Sequence, residues 1–285
     1  MSSQEKTGAL YLVPTPIGNL EDITLRALRI LKEVDLIAAE DTRNTQKILN
    51  HFDIHTPQIS YHEHNEKSRS EELIARLKNG VNIAQVSDAG MPLISDPGQT
   101  LAQRAISAGL SVVPLPGANA GLTALVASGI SAQPFLFYGF LPPKNKDKKE
   151  ALGKLANQTA TLIFYESPHH LKRFLKELAE FFEESRQVVL ARELTKRYEE
   201  FVRGDLDEVR AWAEQSTIRG EFVIIVEGNS NPQPIKKPWN DWTIQEHIEY
   251  IMEERNVRSK EAIKEVARLR DIQTKKVYAI YHGLD

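Results

Sequence analysis

Residues 81–98 read VNIAQVSDAGMPLISDPG, and this stretch decides the fold. Val81 to Val86 is a short apolar run, the pattern of a buried strand, and Ser87 to Gly98 packs Gly, Pro, Ser and Asp into one long loop. A strand that ends in such a loop and continues into a helix is one unit of a parallel α/β sheet, and ligands of these sheets gather where the strands end. Small residues let the main chain approach a ligand closely, while Asp88 and Asp96 can accept from ribose hydroxyls or a cationic amine.

The same alternation extends in both directions. Upstream, Leu10–Val13, Leu36–Ala39 and Ile59–Tyr61 read as strands, and downstream so does Val112–Leu115. Between them Ile23, Ala27, Ile30 and Leu31 share one helix face, as do Leu73, Ile74 and Leu77, with Ser68 and Glu71 in capping-box spacing and Gly80 as a stop. Two further strands end in rigid small-residue loops, Pro14–Asn19 and Pro116–Gly121. One such loop is an ordinary tight turn, but three at one sheet edge favour a binding site. Neither G-x-G-x-x-G nor G-x-x-x-x-G-K-[ST] occurs in them, which disfavours nicotinamide and triphosphate cofactors.

A second α/β set follows, with strands at Phe135–Phe140, Leu162–Tyr165, Val188–Ala191 and Phe222–Val226. Ser167-Pro168 predicts a helix start, Leu171, Phe174, Leu175 and Leu178 its buried stripe, and Asp205 with Glu208 a capping box. The expected domains are 1–120 and 121–228, then a Pro-rich linker at 229–238 and a helical module at 239–285. In that module helices begin near Thr243, Ser259 and Thr274, and the last two have the spacing of a helix-turn-helix, with Asp271 where such turns often place Gly.

Composition narrows the classes. The 285 residues are 41% hydrophobic and 26% charged, ordinary for a globular chain, and the absence of cysteine excludes disulfides and thiolate chemistry. The start MSSQEKTGALYLV lacks a signal pattern and no apolar run reaches membrane-spanning length, so a cytoplasmic protein with no membrane partner is expected. A net charge of -3 leaves nucleic-acid binding to local patches: Arg43, a lysine loop of Lys144, Lys146, Lys148 and Lys149, and the C-terminal Arg268, Lys275 and Lys276. His62-Glu63-His64, expected on a polar loop, and His169-His170, expected in a first helical turn, match no metal-ligand spacing, and no metal is expected.

VPTPIGN at 13–19, SDAGMPLISDPG at 87–98, PLPGANAG at 114–121 and LIFYESPHHL at 162–171 resemble loops of the tetrapyrrole methylase superfamily. AAEDTRNTQKIL at 38–49, FYGFLPPK at 137–144, LARELTKRYEEFVRG at 190–204 and RGEFVIIVEG at 219–228 extend the resemblance, in order, to that superfamily's rRNA-methylating branch. Where the superfamily carries Gly-Asp-Pro this chain reads Gly90-Met91-Pro92, as that branch does.

The resemblance implies two α/β domains with S-adenosyl-L-methionine in the cleft between them. It places cofactor contacts on Pro16, Ser87, Asp88, Ala89, Gly90, Met91, Ile94, Asn119, Ala120, Tyr165 and Leu194. It implies a homodimer that methylates the ribose 2′-hydroxyl of a cytidine in the decoding region of 16S rRNA, within the assembled small ribosomal subunit. A ribose hydroxyl is a weak nucleophile at neutral pH and calls for a proton acceptor, for which Glu40, Asp41, Asp88 and Glu166 stand at strand ends. Asp41 can equally cap the next helix and Glu166 pair with Arg or Lys, so the residues leave the choice open. Two rival readings are a tetrapyrrole C-methyltransferase and a non-catalytic RNA-binding protein.

Overall fold

The computed structural model describes residues 7–96, 98–232, 239 and 241–284. Pro97 of the long loop, residues 1–6 of the expected leaderless start and residues 233–238 of the expected linker lie outside the described residues. The chain forms two compact units, one up to Pro232 and one beyond it.

The larger unit holds two five-stranded sheets. The first is built from β1 (Ala9–Leu12), β2 (Leu36–Ala39), β3 (Gln58–Ser60), β4 (Ile83–Val86) and β5 (Ser111–Pro114), in the order β3-β2-β4-β1-β5 and parallel throughout. Its crossover helices are α1 (Leu25–Glu33), α2 (Thr42–His51), α3 (Glu66–Lys78) and α4 (Gln99–Ser107). All four residues of β2 and of β4 are buried, as both-face coverage of a parallel sheet demands. Alternation sorts them: Ile37, Ala39, Ala84 and Val86 pack with Ala27, Ile30 and Leu31 of α1, while Leu36, Ala38 and Ile83 pack with Leu73 and Leu77 of α3. Strands β1 and β4 are neighbours, so the loops that leave them meet at one edge.

The second sheet is mixed. It comprises β6 (Phe135–Gly139), β7 (Thr161–Glu166), β8 (Gln187–Arg192), β9 (Glu200–Asp205) and β10 (Phe222–Val226), in the order β6-β7-β10-β8-β9. Only β6 and β7 run parallel; the remaining pairs are antiparallel. Helix α5 (Ala120–Ser128) covers one face through Ala124 and Leu125 against Ile163, Val189, Val223 and Ile225. Helices α6 (Asn145–Leu155), α7 (Leu171–Leu178) and α8 (Leu206–Gln215) cover the other, where Phe164 packs edge-on against Phe174 with ring centroids 5.4 Å apart. The expected boundary at 120/121 falls at the start of α5, inside this one unit.

Five expectations need correction. Ile23 is extended backbone before α1, which starts at Leu25 behind the Thr24 cap, so it does not share that helix's face. Edge strand β9 had no apolar run to betray it: EFVRGD is half polar because one face is open. Ser68 and Glu71 do not cap α3, which begins at Glu66 behind Asn65; the Ser68 hydroxyl donates back to the Asn65 carbonyl, 3.2 Å away. Helix α7 starts at Leu171, so Pro168, His169 and His170 form the turn before it and not its first turn. Lys146, Lys148 and Lys149 lie on α6 and only Lys144, its N-cap, precedes it, so the cluster is helical.

Where both halves of a capping box are local, sequence and structure agree. Asp205 Oδ1 accepts from the Glu208 N–H at 2.9 Å and the Glu208 carboxylate accepts from the Asp205 N–H at 3.1 Å. Asp205→Ala is expected to lower stability by about 1 kcal/mol in urea denaturation, since the exposed helix start loses one of its satisfied donors.

The smaller unit contains α9 (Ile244–Arg255), α10 (Ser259–Arg270) and α11 (Thr274–His282), packed through Ile248, Ile251, Ile263, Val266 and Val277. Thr243 and Glu246 form the expected capping box. Asp271 adopts φ 54, the left-handed conformation usually given to Gly, and so ends α10.

Candidate active site

The loop after β1 and the loop after β4 are stitched together. Thr15 and Gly90 exchange N–H···O=C bonds of 2.9 and 3.0 Å, and the Thr15 hydroxyl donates to the Ser87 carbonyl at 3.0 Å. Gly90 has φ +79, and a Cβ there would stand 3.2 Å from Ile17 Cγ2. A Cβ on Gly18 would meet Lys196 Cγ at 2.4 Å, so the first loop also lies directly against the segment after β8. Between the two sheet edges is a cavity of about 390 Å³, within the range of small-molecule sites.

Its walls come from both halves. Ile17, Ala89, Gly90, Met91 and Ile94 line one side; Tyr165, Ala191, Leu194 and Val223 line the other, with Asn119 and Ala120 at the start of α5. Asn119 caps α5, its Oδ1 accepting from the Leu122 N–H, and the Gly121 N–H donates to the Tyr165 hydroxyl at 3.0 Å. Burial pushes the Tyr165 phenol above its ordinary value, so it stays neutral. Residues in and beside the lining are held at positive φ: Leu93 at 72 and Ser95, which lines the cavity, at 64, and Glu193 and Thr195, either side of Leu194, at 50 and 64. Non-glycine residues held there signal a surrounding structure that fixes their conformation for a purpose. The Ser167 hydroxyl, also at the cavity, is a buried polar atom without a partner among the described residues.

Of the expected cofactor contacts, Ala89, Gly90, Met91, Ile94, Asn119, Ala120, Tyr165 and Leu194 line this cavity. Pro16 and Ser87 are buried behind it, and Asp88 stands outside it, holding the Asn44 amide at 2.9 Å and the Asp41 N–H at 3.1 Å. Phe140, Lys196 and Glu221 line it without having been singled out, and Ser167 was read only as a helix start, because nothing local marks the ends of β6, β7 and β8 and the start of β10 as converging.

The carboxylates offered as proton acceptors are dispersed. Asp41 caps α2 and is gripped by Arg43, Nε to Oδ1 at 3.0 Å and Nη2 to Oδ2 at 2.7 Å, which holds its carboxyl down to about 2. Glu40 sits beside Asp88, whose N–H donates to it at 3.3 Å; burial raises its carboxyl, aided by the charges of Asp88 and Asp41. Glu166 lines the cavity, but in place of an Arg or Lys its Oε1 accepts from the Ser167 N–H at 2.8 Å and faces His170 Nδ1 at 3.8 Å. Asp96 also lines the cavity, half-buried, and burial followed by the charge of Glu40 raises its carboxyl to about 7.

None of the basic candidates of the larger unit lines the cavity. Lys148 is held by Glu177 at 2.9 Å and Lys149 by Glu180 at 2.8 Å, while Lys144 and Lys146 are exposed. Arg268 is bound by Glu265, and Lys275 and Lys276 are exposed in the first turn of α11. His62 and His64 are on a loop, His62 Nε2 lying 3.2 Å from the Asn65 amide. Among the described residues no group of three or more His, Asp or Glu is placed to hold a metal ion, and no helix is long and apolar enough to cross a membrane.

A parallel sheet and a mixed sheet with a ligand-sized cavity where their strand ends face each other define an α/β enzyme of the methylase type, and residues 9–210 match the family model for Tetrapyrrole (Corrin/Porphyrin) Methylases. The chain belongs to that family, and to the group within it named ribosomal RNA small subunit methyltransferase I. It is 52% identical to the Bacillus subtilis (strain 168) protein of that name over 96% of this chain and 94% of the other. It is 44% identical to the Synechocystis sp. protein of the same name, over 96% of this chain and 97% of the other. Among solved structures, diphthine synthase superposes at TM-score 0.60 with 13% identity over 77% of this chain and 90% of the other. Uroporphyrin-III C-methyl transferase from Thermus thermophilus, complexed with S-adenyl homocysteine, superposes at 0.55 with 19% identity over 77% and 97%. Likeness to these two structures establishes the fold alone.

Proposed function

We propose that the chain is an S-adenosylmethionine-dependent methyltransferase that methylates the ribose 2′-hydroxyl of a cytidine in the decoding region of 16S rRNA, in the assembled small subunit. The observation that carries the reading is the cavity at the facing strand ends, in a chain whose full-length relatives are named for small-subunit rRNA methylation. The residues fit the cofactor: apolar walls at Met91, Ile94 and Leu194, the side-chain-free Gly90 and the small Ala120 at the start of α5, and the unpartnered Ser167 hydroxyl as a spare polar group. When bound, that cofactor supplies a methyl group already activated on sulfur. What remains for the protein is alignment and the removal of one proton.

We further propose that the domains are 1–120 and 121–228, that two copies associate, and that the enzyme works in the cytoplasm. Exposed Lys144, Lys146, Lys275 and Lys276, with Arg43 and Arg268, would meet phosphates, whereas Lys148 and Lys149 contribute only after releasing their carboxylates. Base access requires a nucleotide out of its stack, which favours assembled subunit architecture over a short sequence.

The test is transfer of labelled methyl from S-adenosylmethionine to three acceptors: small subunits lacking the modification, free 16S rRNA, and uroporphyrinogen. Label on the subunit is expected. Label on the tetrapyrrole alone would establish the rival C-methyltransferase, and cofactor-independent RNA binding with no transfer to any acceptor would establish the non-catalytic reading.

A further inference from the structure

Three of the four carboxylates that the sequence offers as proton acceptors, Glu40, Asp41 and Asp88, stand outside the cavity, and the fourth, Glu166, has one oxygen engaged by the Ser167 N–H. Asp41 is gripped by Arg43. Asp88 spends both oxygens on the Asp41 N–H and the Asn44 amide. Glu166 accepts from the Ser167 N–H, and Glu40 does not line the cavity. Of the remaining carboxylates at the cavity, Glu221 is bonded to Lys196 at 2.9 Å and its side chain is 81% exposed.

Asp96 differs from all of these. It lines the cavity at the end of a loop whose Leu93 and Ser95 are held in the left-handed region, so its position is imposed by the fold. The charges acting on it are those of Glu40 and Asp88, both of its own sign, and the Ser87 hydroxyl is its hydrogen-bonding neighbour. From the opposite wall the neutral Tyr165 feels its charge. A carboxylate with like charges behind it and a cavity in front of it gains by accepting a proton.

Resting on the methyltransferase reading above, we propose that Asp96 takes the proton from the substrate hydroxyl, and that Glu40, which follows β2 beside the β4 loop that carries Asp96, is a positioning residue. As the ribose oxygen forms its bond to the methyl carbon, its proton moves to the Asp96 carboxylate. The electron pair of the breaking carbon–sulfur bond stays on sulfur, and Asp96 then returns the proton to water. The raised carboxyl, at about 7, matches the task, because a general base works best with a pKa near the operating pH.

Three readouts on the full chain test this: calorimetric S-adenosylmethionine binding, single-turnover transfer to small subunits across acid to mildly alkaline pH, and melting temperature over the same range. Wild-type transfer should rise with pH and level off above about 7. Asp96→Asn should slow transfer by at least about a hundredfold while leaving cofactor affinity unchanged. Glu40→Gln should move the rising limb to lower pH, because removing the like charge lets Asp96 ionise earlier, a shift that a structural role alone would not produce. The melting curves supply a readout independent of transfer. A carboxyl raised from 3.8 to about 7 keeps more protons in the folded state, so stability falls as pH rises through that window, and Asp96→Asn should flatten the fall.

Near wild-type transfer by Asp96→Asn, loss of cofactor binding together with transfer, or an unmoved limb in Glu40→Gln would each overturn the assignment while leaving the methyltransferase reading intact. A wild-type chain that transfers no methyl to any acceptor sinks that reading, and the inference with it.

Discussion

Gly90→Val should weaken S-adenosylmethionine binding by about a hundredfold, equivalent to about 2.7 kcal/mol. Gly90 lines the cavity with φ +79, a region that β-branched residues avoid at a cost of about 1–3 kcal/mol. The new Cβ would press on Ile17 Cγ2 at 3.2 Å and the Ala118 carbonyl at 3.5 Å, both belonging to loops that shape the site. The backbone cannot swing away without breaking its paired bonds to Thr15. Strain and wall displacement therefore fall on the same few residues. Calorimetric titration measures the effect, with circular dichroism to show that the folded unit persists; wild-type affinity would show that this loop does not form the cofactor site.

Arg270→Ala should unfold the C-terminal helical unit and leave the larger one standing. The guanidinium donates to the carbonyls of Trp239 at 2.9 Å, Trp242 at 2.8 Å and Thr243 at 3.2 Å, and to Nδ1 of His247 at 3.0 Å. His247 is fully buried, stacked on Trp239 with centroids 4.6 Å apart, and its Nε2 already lacks a partner among the described residues. Removing Arg270 strands the second ring nitrogen and the carbonyls at the start of α9, costing about 3 kcal/mol. A unit of this size buries too little surface to absorb that loss. Hydrogen exchange is the direct check: protection across Ile244–His282 should collapse while β7 and β10 stay protected.

The centre of the parallel sheet was legible because β2 and β4 are buried along their whole length and mostly apolar, so LIAA and IAQV stand out from their flanks without any knowledge of partners. The two capping boxes at Asp205 and Thr243 were legible for a similar reason, since everything they need lies within four residues. Spacing alone misled at Ser68 and Glu71, where Asn65 claims the helix start and Ser68 turns back to bond it. Strand β9 was invisible because an edge strand with one open face carries no apolar excess, and its pairing with β8 is a tertiary fact.

The site divides along the same line. Its small-residue loops could be read directly, and most of their expected contacts do line the cavity. The proton acceptor could not be chosen from sequence, because what separates Asp96 from Asp88 is tertiary placement: Asp96 lines the cavity, whereas Asp88 stands outside it with its oxygens held by the Asp41 N–H and the Asn44 amide. The lysines show the converse. Their charge is plain in the sequence, yet Glu177 and Glu180, brought in by the packing of α7 and its C-terminal turn, neutralise Lys148 and Lys149.

The central claim is that this cavity delivers a methyl group to a ribose oxygen of small-subunit RNA. Mass mapping of the labelled nucleotide after transfer to subunits lacking the modification tests it most directly. The account predicts label on the ribose of a single decoding-region cytidine, formed far more slowly in Gly90→Val and Asp96→Asn; label on a base carbon or nitrogen, or spread over many nucleotides, would contradict it.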